Sequence, residues 1–187
     1  MRLFVGIPLD GAARAAVAQQ LPECRRRLPN CRWVDAGNLH LTVRFLGEAP
    51  EIALPEVTQW FSDAVSANPS GSLELAEPGW FQRRDGAVFW VGIKAGDWLP
   101  QLAHALATPV AGLEAEEREF KPHVTLGRYR FVTGDRQTVQ AFRNYFHALQ
   151  FPGAVQSETW VCLYRSHLGS DGSRYEVIAS SRDQSPR

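Results

Sequence analysis

Two tripeptides in this sequence pair an imidazole with a hydroxyl: His40-Leu41-Thr42 and His123-Val124-Thr125. An apolar residue follows each, Val43 and Leu126, so both read His, apolar, Thr, apolar. In a strand, side chains alternate, so His and Thr project from one face while the apolar pair enters the core. With five His and seven Thr in 187 residues, roughly 0.2 His-x-Thr matches are expected, and two arise by chance about 2% of the time. A single such histidine is most simply a core residue with hydrogen-bonded nitrogens; a matched pair calls for chemistry. Imidazole changes charge near neutral pH, so one ring can be neutral while the other is protonated. That supplies a base and an acid together. Threonine hydroxyls donate hydrogen bonds without adding charge, which suits the non-bridging oxygens of a phosphodiester. In-line displacement at phosphorus wants its base and acid on opposite sides, and each proton transfer is worth roughly 10²–10⁴ in rate. A strained cyclic phosphate lowers the barrier further, so no metal and no cofactor is called for. The residues point to hydrolysis of a cyclic phosphodiester.

The elements that must carry these motifs follow from periodicity. Arg2–Leu9 reads as a buried strand, and Asp10 can cap a helix running to about Cys24 or Leu28. Leu39–Leu46 alternates as a strand. Leu54, Val57, Phe61 and Val65 mark a helix. Leu73–Phe81 and Ala87–Ile93 are strands joined by Arg83-Arg84-Asp85-Gly86, a hairpin signal. Trp98–Leu113 is expected as a third helix, Pro122–Phe131 as a strand and Asp135–Leu149 as a fourth helix. Thr159–Arg165 and Arg174–Ala179 form a last hairpin across a Gly-Ser-Asp-Gly loop. The second half repeats the order of the first, with no low-complexity linker. The expected fold class is therefore α+β: a bilobal pseudo-twofold repeat, two antiparallel sheets flanked by helices with a central groove. One two-lobed domain spans residues 1–180, and 181–187 form a polar tail expected to fray.

Composition narrows the partners. Lys plus Arg and Asp plus Glu both total 20, for a formal net charge of zero. A protein gripping a long nucleic acid through its phosphates usually carries a basic excess, so any such contact must be local, as at one terminus. Cys24, Cys31 and Cys162 have no Cys-x-x-Cys spacing, against a disulfide framework or structural zinc. No stretch approaches a membrane span, and the first residues do not read as a signal peptide, so a cytoplasmic monomer is expected.

The text around the motifs resembles a known family. HLTVRFLG (residues 40–47) and KPHVTLGR (121–128) look like the paired motifs of the two-histidine phosphoesterases. RLFVGIPL at the start, RWV at 32–34, NLHLTVRFLGE, FWVGI at 89–93 and FKPHVTLGR together resemble the RNA 2′,3′-cyclic phosphodiesterases, also called 2′-5′ RNA ligases. That resemblance implies a groove between lobes and opening of an RNA 2′,3′-cyclic phosphate end to a 2′-phosphate. It implies His40 as proton donor to the departing 3′ oxygen, His123 as the base acting on water, and Thr42 and Thr125 on the phosphate oxygens.

Arg44 continues the alternation of His40 and Thr42, so it is expected to face the groove and contact phosphate. Arg128 has the opposite parity and faces away from His123 unless a bulge near Gly127 redirects it; the family carries an arginine near this point. Aromatics such as Trp33, Phe45, Phe81 and Tyr129 are candidates to stack a base, but Phe45 shares parity with Leu41 and Val43 and is expected in the core, which is the default for the others as well. Other readings remain open at this stage: a reversible ligase, action on small cyclic nucleotides, an RNA-end-binding module without turnover, and a histidine-based metal site.

Overall fold

The computed structural model describes residues 1–113, 119–151, 153–169 and 172–184. Strand β1 (Arg2–Pro8) turns Leu3, Val5 and Ile7 into the core, each fully buried, and presents Arg2, Phe4 and Gly6 on its other face. After α1 (Gly11–Arg27) and the short β2 (Arg32–Trp33) come β3 (His40–Glu48), α2 (Leu54–Ala67), β4 (Leu73–Gln82) and β5 (Gly86–Ala95). The chain continues through α3 (Trp98–Leu106), β6 (His123–Arg130), α4 (Arg136–His147), β7 (Val155–Gln156), β8 (Cys162–Gly169) and β9 (Gly172–Ser180). The helices bury the residues that their spacing selects: Val57, Phe61 and Val65 in α2, Val139, Phe142 and Phe146 in α4. Among the described residues no helix is long and apolar enough to cross a membrane.

The strands run in the order β7-β4-β5-β6-β3-β1-β8-β9, with β2 also on β6, and every pairing is antiparallel. The two sheets expected from the sequence are joined: β3 and β6 share one residue pair, Leu41 with Val124. The two sides of that junction do not correspond to the two halves of the chain. β8 and β9 come late in sequence yet pair beside β1, while β4 comes early yet pairs with β5. The helices cross over as well. α1 packs against β7, and α3 packs against β3 and α2. Gln156 fastens one crossing: Asp10 N–H donates to its Oε1 (2.8 Å), and its Nε2 donates to Pro8 O (3.2 Å).

Three boundaries differ from expectation. α3 stops at Leu106 rather than Leu113. Thr108 precedes Pro109, and a residue before proline is pushed out of the helical region. The chain then turns at Ala111 (φ 50°) and Gly112 (φ 76°). Asp10 occupies the N-cap position of α1 without capping it, because its carboxylate pairs with Arg14 at 3.0 Å. The stretch expected to fray begins with a 3-10 turn over Ser181–Gln184. Ser181 N–H donates to Val161 O (2.9 Å), and Val161 N–H donates to Ser181 Oγ (3.0 Å). Residues 185–187 of that tail, and Ser170 and Asp171 of the last hairpin loop, lie outside the described residues.

Candidate active site at the junction of the two sheets

The single rung Leu41–Val124 decides what meets what. With those two residues opposite each other in an antiparallel pair, register sets His40 across from Thr125 and Thr42 across from His123. Leu41 and Val124 are both fully buried, so the four polar residues share the opposite face, and all four are half-buried there. The histidines are diagonal neighbours, a relation that spaces side chains about 7–8 Å apart. That is room for one phosphate between two rings.

Each imidazole is anchored in the same way. His40 Nδ1 lies 2.7 Å from Asn38 O, and His123 Nδ1 lies 2.6 Å from Lys121 O. A carbonyl only accepts, so Nδ1 carries the hydrogen in both rings, and both Nε2 atoms are left for a ligand. Burial pushes the His40 pKa below the ordinary 6.5, opposed by the bond to Asn38 and reinforced by the Arg128 and His123 charges. His123 is lowered too, first by burial, with Arg128 and Lys121 adding to it and the Lys121 carbonyl opposing it. Without a ligand, both rings therefore favour the neutral form at pH 7.

Arg44 lies opposite to the sequence reading, and the bulge that reading left open for Arg128 is present; one physical reason covers both. The β1–β3 register slips between Val5 and Gly6, where Val5 pairs with Arg44 and Gly6 with Thr42. One extra residue on β3 reverses parity beyond Thr42. Arg44 is consequently buried, 2% exposed, and lies away from the groove. Its Nη1 donates to Leu106 O and Thr108 O at the end of α3, and its guanidinium sits 5.1 Å from the Trp60 ring. Phe45, expected in the core, is instead 52% exposed on the groove face. β6 carries the same slip, between Phe89 and Trp90 of its partner strand. There it turns Arg128 toward the histidines, whose pKa values respond to its charge. Gly127 fills the place that Arg44 fills on β3, and a Cβ there would come within 2.6 Å of Trp33 Cε3 and 2.8 Å of Cys31 Sγ.

These features meet known proteins at one point. The model of the 2′-5′ RNA ligase superfamily matches residues 12–167, which include both motifs and the bulges after them. The chain belongs to the 2′-5′ RNA ligase superfamily. Curated relatives in the superfamily include an RNA 2′,3′-cyclic phosphodiesterase of Thermotoga maritima, 27% identical across 95% of this chain and 93% of that one. Another, of Methanocaldococcus jannaschii, is 28% identical across 95% of this chain and 98% of its own length. Among solved structures, a Thermus thermophilus protein aligns with a TM-score of 0.68 at 25% identity, covering 96% of both chains. Escherichia coli LigT complexed with 3′-AMP aligns with a TM-score of 0.65 at 26% identity, covering 96% of this chain and 95% of that one.

Within this superfamily framework, aromatic rings line both sides of the groove. Beside His40 stand Phe4 (4.9 Å between ring centroids) and Tyr175 (5.0 Å, edge-on). Beside His123 stand Phe81 (5.0 Å, edge-on) and Trp90 (6.0 Å), with Lys121 Nζ over both rings. Of the aromatics singled out from the sequence, Tyr129 is core, 5% exposed, and Trp33 packs against Phe89 and Phe142. Sequence reasoning gave Phe4, Tyr175 and Trp90 no role; for Phe4, the signal was its parity with Gly6, opposite to buried Leu3 and Val5. Among the described residues no three of His, Cys, Asp and Glu gather to hold a metal ion.

Proposed function

We propose that this chain hydrolyses RNA ends carrying a 2′,3′-cyclic phosphate, leaving a 2′-phosphate, with the two histidines as acid and base and no metal ion. The observation carrying the reading is the pair of matched anchors: both Nδ1 atoms are tied to carbonyls two residues upstream, and both Nε2 atoms are left for one phosphate. The names of the curated relatives support the same substrate class.

The cyclic phosphate sits between the rings, and the Thr42 and Thr125 hydroxyls donate to its non-bridging oxygens. Arg128 contributes fixed positive charge where negative charge builds up in the transition state. His123 Nε2 takes a proton from water as that oxygen attacks phosphorus. The P–O3′ bond breaks on the opposite side, and His40 gives its proton to O3′, while O2′ keeps the phosphate. The cycle closes when the proton on His123 returns through solvent to His40. Because burial shifts both rings toward the neutral form without ligand, the negatively charged substrate favours the proton that His40 must donate.

The test is an oligoribonucleotide with a 2′,3′-cyclic end, incubated with purified protein with and without chelator. A 2′-phosphate product, unchanged by chelation and reduced about 10²–10⁴-fold in either His40→Ala or His123→Ala, is expected. A 3′-phosphate product, or activity abolished by the chelator, would overturn the reading.

A further inference from the structure

Each histidine hangs on one carbonyl, and that carbonyl belongs to a residue two positions before its strand begins: Asn38 ahead of β3, Lys121 ahead of β6. Neither residue takes part in a strand pairing. The residue in between is held by the backbone on both sides: Leu9 N–H donates to Leu39 O (2.9 Å), and Ile93 N–H donates to Pro122 O (3.1 Å). For Asn38 and Lys121 the side chains supply the hold, and both reach to a flanking hairpin. Asn38 Nδ2 donates to Ser173 O at the start of β9 (3.0 Å). Lys121 Nζ lies 5.5 Å from the Phe81 ring on β4 and 5.2 Å from the Trp90 ring on β5. The same two hairpins press an aromatic ring edge-on against the histidine concerned: Tyr175 on His40 with 81° between planes, Phe81 on His123 with 88°.

We propose that Asn38 and Lys121 are positioning residues: each side chain lashes the carbonyl that holds an imidazole to the flanking hairpin, and so fixes which ring nitrogen faces the groove. The carbonyl itself survives any substitution at these positions, so the side chain acts on the ring only by holding that carbonyl in place. A neutral imidazole takes the tautomer that its hydrogen bond dictates. With the carbonyl fixed, Nδ1 carries the hydrogen and Nε2 keeps its lone pair for the groove; with it loose, the ring exchanges between both forms. The two ties differ in chemistry, an amide on a carbonyl against an ammonium over two rings, so they can be cut separately. Pro122 also restricts the backbone of Lys121, which Leu39 does not do for Asn38, so the larger effect falls on His40. The proposal deepens the hydrolase reading and rests on it only for the consequence in turnover.

Nitrogen NMR of the protein carrying ring-labelled histidine reads the tautomers directly and needs no substrate. The His40 and His123 resonances are identified by their loss in His40→Ala and His123→Ala. At about pH 8, with both rings neutral, each should show its hydrogen on Nδ1. Asn38→Ala should move His40 toward a mixture of forms while His123 is unchanged. Lys121→Ala should do the reverse, and Lys121→Arg, which keeps a cation over the rings, should restore the single form. In turnover of RNA cyclic ends, Asn38→Ala should lower kcat about 2- to 12-fold, the equivalent of one neutral hydrogen bond, with KM within about twofold. A thermal melt checks that each variant is folded. A variant whose own ring keeps its hydrogen on Nδ1, or one that shifts both rings equally, would overturn the proposal. If the tautomers respond as expected while no cyclic end is opened, the ties stand and the hydrolase reading falls.

Discussion

Replacing Arg44 with Met separates a structural arginine from a phosphate-binding one. Met retains most of the buried aliphatic volume and removes the guanidinium, leaving Leu106 O and Thr108 O at the end of α3 without that donor. A hydrogen bond to a charged group contributes about 1.5–3 kcal/mol. Leu106 is fully buried, whereas the bond to Thr108 is partly exposed, so about 3–5 kcal/mol is expected for the pair. Loss of the contact with Trp60 acts in the same direction. For a chain of this size, 1 kcal/mol moves Tm by about 2–4 °C, giving a fall of about 6–20 °C. Lys should recover part of this, since it keeps the charge but places an ammonium where the planar guanidinium sets its Nη1 between two carbonyls. The assay is a thermal melt paired with steady-state kinetics at 25 °C on an RNA cyclic-phosphate substrate. A large fall in Tm with KM within about twofold is expected, because the side chain never reaches the groove. An unchanged Tm with a KM raised tenfold would refute the reasoning and return Arg44 to the phosphate.

The kcat/KM profile should be bell-shaped and centred below pH 6.5, since burial lowers both histidine pKa values; Arg128→Gln removes a charge that lowers both, so its profile should move to higher pH. The same shifts set a stability slope: below about 6.5 the rings protonate first in the unfolded chain, so stability is level above about 6.5 and falls as pH drops from there toward the folded values, a slope that His40→Ala/His123→Ala should flatten in acid denaturation. Gly127→Ala forces a methyl against Trp33 and Cys31 and should cost about 1–3 kcal/mol by thermal melt, with an unchanged Tm counting against the packing described. If Thr42 and Thr125 hold the phosphate as proposed, Thr42→Val and Thr125→Val should each lower kcat/KM by about tenfold without lowering Tm, as measured by kinetics and melting side by side.

Period-two alternation was enough to set His40, Thr42, His123 and Thr125 on one face, because the pattern holds until the strand bulges. It failed from Val43 onward because an inserted residue has no signature in hydrophobicity: Val43, Arg44 and Phe45 read as an unbroken strand. The sequence nevertheless contained a cross-check. Aligning the two motifs sets Phe45 against Arg128, so a bulge invoked to turn Arg128 inward also turns Phe45 inward and Arg44 away. The end of α3 was legible in Pro109, a local rule outweighed by apolar spacing that continued to Leu113. The interleaving of chain halves was not legible, since pairings such as β1 with β8 depend on contacts more than 150 residues apart; a repeat in element order does not say which copy each strand joins.

That interleaving bears on how the protein comes into being at the ribosome. Residues 1–95 contain β1, β3, β4 and β5 but neither β6 nor β8, so a nascent chain of that length holds one histidine motif and two unfinished sheet edges. Cutting the polypeptide at its midpoint would not yield two folding units, and no truncated product could retain half the chemistry. The groove between β3 and β6 appears only with the complete architecture, so a partly synthesised chain does not bring the two histidine motifs together.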